Sequence, residues 1–197
     1  APGLPYVGAT TALDVTDLSL WQSGDGDDSI SVALPLGFLS TFWNTSTQCI
    51  QLSSNGALWF GPGGDGQIYS TGFVPSWPAG LFMVSTDLEP SDTAFGGNIY
   101  YEHITPMSGP KVCVITFDNI KRWGTSGEAA TFQAQLFENG DVRVVHVSNT
   151  VSRTMQTGFF EGAGPASLGF INTDLSAQTT PLAVADGATV LPLSHTT

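Results

Sequence analysis

Two short acidic stretches carry the side chains best suited to bind a metal ion. Each brings three carboxylates together over a few positions: Asp25, Asp27 and Asp28 in SGDGDDS, and Asp87, Glu89 and Asp92 in DLEPSD. Ca²⁺ takes about six to eight oxygen ligands from carboxylates, carbonyls and water. The two stretches therefore predict Ca²⁺ sites. Neither follows EF-hand spacing, and a solvated acidic turn is the alternative for each.

Carboxylates are also the residues most able to support catalysis in this chain. Asp87 and Glu89 alternate, so both could face one side of a strand, as a pair of glycosidase carboxylates would. Glu161 with Gln133 or Gln135 would suit a glutamic-peptidase dyad. No G-x-S-x-G motif nominates a serine nucleophile. A small acidic secreted hydrolase is thus an alternative, and the sequence favours a protein that is not an enzyme.

Three tryptophans fall at strand ends or in loops and could form a ligand or partner surface. They are Trp43 in TFWNTS, Trp77 in PSWPAG and Trp123 in KRWGTSG. Exposed tryptophans can stack on sugars or anchor a protein partner. The alternative is that they cover the ends of a core, and Trp77, which precedes a proline, is expected to be such a lid.

The elements that must position these residues are strands. The 23 glycines and 12 prolines leave few uninterrupted helical windows. Short apolar or alternating runs recur about every ten residues, which is typical of a sandwich or barrel. The pattern predicts an all-β, antiparallel, jelly-roll-like sandwich over residues 29–197, preceded by an arm and a first turn or strand over residues 1–28. Strands are predicted at 29–36, 49–54, 57–61, 81–88, 98–104, 111–120, 130–138, 142–149, 155–161 and 188–193.

The stretch CIQLSSNGALWFG, residues 49–61, could be taken for a reactive serine cluster. Asn55-Gly56 is the typical pair of a two-residue type I′ turn, so a hairpin is favoured. In that hairpin Ser54 pairs with Ala57, and the serines are strand ends. Asn139-Gly140 predicts a second tight hairpin, and His146 on the strand that follows is expected to be a core residue.

The charge balance limits the partners. There are 17 acidic and 5 basic residues, for a formal net charge of −12. Such a surface repels nucleic acids and anionic membranes and attracts cations. No apolar run approaches the roughly 20 residues needed to span a bilayer. Nucleic-acid binding and membrane insertion are therefore not expected.

The two cysteines, Cys49 and Cys113, both lie in predicted strands. They are either two buried thiols or one disulfide. Few lysines, many Ser and Thr residues and the sequon at Asn44 indicate an extracellular, glycosylated protein, which favours the disulfide. The beginning APGLPYVG suits a mature chain whose signal peptide has been removed.

Several segments together resemble the nidogen-type (NIDO) extracellular β-sandwich module. They include CIQLSSNGALWFG, MVSTDLEP, GGNIYYE, VCVITFDNI and ATFQAQLFENG, which follow the family's order. The usual APFWADL keeps only Asp87-Leu88, and Phe117 replaces a tryptophan. Proteins with such modules are generally matrix, adhesion or cell-surface components, and the module is not known as a catalyst.

The resemblance implies a non-catalytic adhesion or structural module that is secreted or displayed at the cell surface. Its partners would be proteins, glycans or further copies of the chain, and residues 1–12 could pair with the sheet edge of a neighbouring copy. A Ca²⁺-dependent carbohydrate-binding module is the main alternative.

Overall fold

The computed structural model describes residues 11–14, 17, 19–22, 26–42, 45–68, 77–92, 97–151, 155–160, 171–173, 183–186 and 189–195. These residues form strands and connections. The strands are β1 (Ala12–Leu13), β2 (Leu34–Phe42), β3 (Thr45–Ser53), β4 (Ala57–Trp59), β5 (Gly80–Ser85), β6 (Asn98–Ile104), β7 (Val112–Lys121), β8 (Ala129–Phe137), β9 (Val142–Asn149), β10 (Met155–Phe160), β11 (Ile171–Thr173), β12 (Ala183–Asp186) and β13 (Thr189–His195).

Two sheets stack face to face. One has the order β1-β6-β7-β8-β9-β13-β12 and the other β11-β10-β5-β4-β3-β2. Neighbouring strands are antiparallel except β9 and β13, which are parallel. The predicted all-β sandwich is confirmed. Within the part of the chain described, no helix is long and apolar enough to cross a membrane.

Most strands that follow one another in the chain are also neighbours in a sheet. Strands β2 to β5 form one meander and β6 to β9 another. In β2, buried Leu34, Leu36 and Phe38 alternate with exposed positions, so one face of the strand packs inward. The inward faces of the two sheets form the main core, where Phe117 stacks on Phe132 with ring centroids 4.8 Å apart.

A second apolar cluster lies on the outer face of the six-stranded sheet. Trp59 and Phe82 point away from the main core and pack against Trp77 and Ile68, which belong to the β4–β5 connection. The Trp59 and Trp77 ring centroids are 5.2 Å apart, and Trp77 is only 4% exposed. Trp77 is therefore a lid, and its assignment to a partner surface is wrong.

The β3–β4 hairpin differs from the predicted one by a single residue. Ser53, not Ser54, pairs with Ala57, so the loop contains three residues, 54–56. Of these only Gly56 has positive φ, at 81°. A three-residue loop with a left-handed glycine at its last position is the next most common hairpin connection after the two-residue turns.

The β8–β9 hairpin repeats this turn. The Phe137 amide donates to the Asp141 carbonyl at 2.9 Å, which leaves residues 138–140 as the loop. Gly140 has φ of 88°, whereas Asn139 does not have positive φ.

The start of the sandwich also differs from the prediction. Strand β2 covers 34–42 in place of the predicted 29–36. Its pairing with β3 shifts between Pro35 and Ser40, where Gly37 adopts φ of 79°.

Residues of the segment 1–28, which was predicted to be an arm and a first turn or strand, take part in the fold. Strand β1 pairs with β6 of the same chain, and Leu13 and Trp21 are buried in the main core. Residues 1–10 lie outside the described residues.

The expected disulfide is absent, and both Cys49 and Cys113 are thiols. Successive residues of a strand point to opposite faces. Ile50 lies in the main core, so its neighbour Cys49 faces outward, whereas Cys113 is fully buried in that core. The disulfide prediction is wrong because the two sulfur atoms lie on opposite sides of the six-stranded sheet.

Candidate functional site

One buried amide joins the two acidic stretches that the sequence singled out. The Asn55 side chain is fully buried, and its Nδ2 donates to Asp28 Oδ1 at 2.9 Å and to the Gly66 carbonyl at 2.7 Å. Its Oδ1 accepts the Leu88 amide at 2.7 Å. The turn in CIQLSSNGALWFG therefore links residues 26–28, 66 and 87–92. This structural role supports neither a reactive serine nor a ligand-binding loop.

The segment after β5 is fixed against the end of β7. Leu88 is fully buried, and its backbone forms an isolated antiparallel β-bridge with Arg122. The Glu89 amide donates to the Lys121 carbonyl and the Trp123 amide to the Asp87 carbonyl, both at 2.9 Å. These bonds hold the second acidic stretch beside the β7–β8 connection.

Ion pairs then join the two segments. The Lys121 ammonium contacts Asp92 and lies 3.5 Å from Glu89. The hydrogen bond to Asp92 raises the pKa of Lys121, with further contributions from the charge of Asp92 and from Glu89, so the side chain stays cationic. Arg122 Nη1 lies 3.0 Å from Glu128 Oε2.

Trp123 stands in this connection with 55% of its surface exposed. The Thr125 amide and hydroxyl both bond to the Arg122 carbonyl, and Gly124 adopts φ of 70°, which closes a tight turn around the tryptophan. We call this surface the acidic corner; it comprises Asp87, Glu89, Asp92, Lys121, Arg122, Trp123 and Glu128.

The predicted Ca²⁺ ligands are placed in two groups. Asp28 accepts hydrogen bonds from Asn55 and, at 3.0 Å, from Gln67, while Glu89 and Asp92 pair with Lys121. Asp25 lies outside the described residues. Within the described ranges no three His, Cys, Asp or Glu side chains are grouped as a metal site. The Ca²⁺ assignment stays a prediction.

A family model described as NIDO related matches residues 6–197. The chain belongs to the NIDO-related family. Neither the curated proteins nor the solved structures gave a match.

The part of the family motif that this NIDO-related module retains, Asp87-Leu88, has a structural role. Leu88 fills the core, and its amide bonds to Asn55 while the Asp87 carbonyl binds the Trp123 amide. The dipeptide therefore fixes the acidic corner to the sandwich.

A second polar group joins the two sheets at their edge. His103 Nε2 lies 2.8 Å from both the Tyr101 hydroxyl and the Pro35 carbonyl of β2. A carbonyl only accepts hydrogen bonds, so in this arrangement Nε2 carries the hydrogen and donates it. The Tyr101 hydroxyl also bonds with Cys113, and burial, followed by the effect of Cys113, raises the pKa of Tyr101 above its ordinary value.

The Gln133 and Gln135 side chains lie on the outer face of the seven-stranded sheet, as their alternation predicts. Both are nevertheless fully buried. Gln133 donates to Thr116 Oγ1 at 2.7 Å and Gln135 to Gln133 Oε1 at 2.9 Å. Their proposed partner Glu161 lies outside the described residues, so the dyad stays a prediction.

Two further predicted residues, Trp43 and Asn44, also lie outside the described residues. His146 is 1% exposed and lies in the sandwich, as predicted for a core residue. The cations of the acidic corner were missed as site residues. The one feature of the sequence that could have indicated these cations is that Lys121-Arg122 is the only pair of adjacent basic residues in the chain.

Proposed function

We propose that this NIDO-related module is a non-catalytic extracellular adhesion or structural module that binds its partner at the acidic corner. The observation that carries the proposal is Trp123, an exposed aromatic side chain on a connection held in place by hydrogen bonds and ion pairs. Interfaces favour tryptophan, and a group that is already held in position loses little conformational entropy on binding.

Several features support the extracellular setting. The family match, the scarcity of lysine and the Asn44 sequon all point in this direction. The absence of a disulfide is compatible with an oxidising environment, since burial raises the pKa of the Cys113 thiol to about 12. A thiol that stays protonated is a poor nucleophile for oxidation or disulfide exchange.

An adhesion assay tests the proposal. Beads coated with the wild type, Trp123→Ala or Met107→Ala are washed over decellularised matrix, and the retained beads are counted. Met107 is fully exposed before β7, whereas Trp123 follows β7, so the control removes an exposed apolar side chain from the opposite end of that strand.

We expect Trp123→Ala to lower bead retention at least about fivefold, as loss of an interface anchor does. The Met107→Ala beads should match the wild type. Equal retention of all three would contradict the proposal, provided that the variants melt at the wild-type temperature.

A further inference from the structure

The charge of the module restricts which partners can approach it. The chain carries 17 acidic and 5 basic residues. Three of the basic side chains are engaged with carboxylates of the same chain: Lys111 with Glu138 at 3.4 Å, Lys121 with Glu89 and Asp92, and Arg122 with Glu128. An anionic partner therefore meets net repulsion, and a second copy of this chain brings the same negative charge.

The same sign prevails at the acidic corner. Four carboxylates stand against two cations in the acidic corner, which leaves an excess of negative charge on the segments that hold Trp123. The Glu89 and Asp92 side chains keep 24% and 23% of their surface exposed, so their charge reaches the solvent. An exposed aromatic face in a negative field favours a cation over a neutral ligand.

We propose that the partner of the acidic corner presents a cationic peptide segment, with an arginine or lysine side chain placed over the Trp123 ring. This inference rests on the proposed function and specifies its partner. The ring attracts the cation through its quadrupole, and the neighbouring carboxylates add charge-assisted hydrogen bonds. Arginine is favoured over lysine because its planar guanidinium stacks on the ring and is more weakly hydrated. A neutral glycan could stack on Trp123 but would make no use of the negative charge.

The test uses short acetylated and amidated peptides with two arginines. The matched control peptide replaces both arginines by citrulline, which keeps the shape and removes the charge. Binding is measured by calorimetry at physiological salt with wild type, Trp123→Ala, Trp123→Tyr and Met107→Ala. Met107→Ala keeps the total charge, so it retains any unspecific attraction between the acidic protein and the basic peptide.

We expect Trp123→Ala to weaken binding of the arginine peptide by about two- to thirtyfold, the range of a cation–π contact. Trp123→Tyr should keep part of the affinity for the arginine peptide, and Met107→Ala should keep all of it. The citrulline peptide should bind the wild type no more tightly than it binds Trp123→Ala. Lys121→Gln should strengthen binding, because it removes one of the two cations of the corner. A gain of affinity is not explained by misfolding.

Failure of the inference can be told apart from failure of the proposed function. If Trp123→Ala lowers bead retention yet binds the arginine peptide as the wild type does, the corner is a binding site and its partner is not cationic. The same conclusion follows if a neutral oligosaccharide binds with dependence on Trp123 while the peptide does not. If Trp123→Ala changes neither bead retention nor peptide binding, both proposals are wrong.

Discussion

Replacing Asn55 by alanine should remove much of the stability of the module. The substitution deletes the bonds to Gly66 and Leu88, at 2.7 Å each, and the charge-assisted bond to Asp28 at 2.9 Å. A neutral bond contributes about 1 kcal/mol and a bond to a charge about 1.5–3 kcal/mol, and a buried amide left without an acceptor costs about 1–3 kcal/mol. With the Gly66 bond, the Asp28 bond and the orphaned Leu88 amide together, we expect a loss of about 3.5–7 kcal/mol, a large part of the roughly 5–15 kcal/mol that stabilises a domain.

The chain supplies a matched control in Asn139. It occupies the same position in the same kind of turn, but it is exposed. Its side chain bonds only within the turn, donating to Asp141 Oδ2 at 2.8 Å and accepting the Asp141 amide at 3.3 Å. Water can replace these bonds, so Asn139→Ala should cost less than about 1 kcal/mol.

Urea unfolding followed by tryptophan fluorescence and circular dichroism measures both free energies of unfolding by linear extrapolation. A third variant, Asn55→Asp, separates hydrogen bonding from packing. Its added acceptor would face Asp28 and the Gly66 carbonyl, so at pH 7 it should be less stable than Asn55→Ala and recover as the pH falls towards 4. The reasoning is refuted if Asn55→Ala and Asn139→Ala differ by less than about 1 kcal/mol, or if Asn55→Asp equals Asn55→Ala at pH 7.

Three further predictions concern the thiols and the cation sites. Ellman's reagent at pH 8 should modify Cys49 quickly and Cys113 only after denaturant is added, whereas a protein with no reactive thiol in denaturant would contain the disulfide. Because burial raises the pKa of Cys113 from 9.0 to about 12, the folded state holds this proton more tightly than the unfolded state. The stabilisation is complete below pH 9 and should fall as the pH rises towards 12, by up to about 4 kcal/mol; an equally steep fall in Cys113→Ala would contradict this. If Ca²⁺ binds the second acidic stretch, millimolar Ca²⁺ should raise the melting temperature of the wild type. The rise should be larger in Lys121→Gln, because this variant lacks the ammonium that pairs with Glu89 and Asp92. The absence of a shift in both proteins would contradict the Ca²⁺ prediction.

Local patterns in the sequence were sufficient to place most strands. The predicted strands 98–104 and 142–149 coincide with β6 and β9, because both are short runs rich in β-branched or aromatic residues. The start of β2 was misplaced, since the left-handed Gly37 and the shift in pairing after Pro35 interrupt the pattern. Turn type was the other local error: Asn-Gly occurs both in two-residue loops and in three-residue loops that end in glycine.

Contacts between distant segments could not be predicted in the same way. The contacts of Lys121 with Glu89 and Asp92 depend on where the ends of β5 and β7 lie, and these strands belong to different sheets. No local sequence pattern encodes that arrangement. The disulfide prediction failed although both strands were recognised. Cys49 and Ile50 are consecutive in β3, so their side chains lie on opposite faces of the sheet. Which of these faces packs inward is decided only by the position of the opposite sheet.

The hydrogen bond between His103 and Pro35 affects how copies of the module can associate. Strand β2 is the outermost strand of its sheet, and such strands can template growth by strand addition. Here proline offers no amide, its carbonyl is already engaged by His103 of the other sheet, and the backbone twists at Gly37. The first half of this edge is therefore a poor acceptor for another chain. A filament built from this module would have to grow through side-chain surfaces, through the second half of β2 or through a different edge.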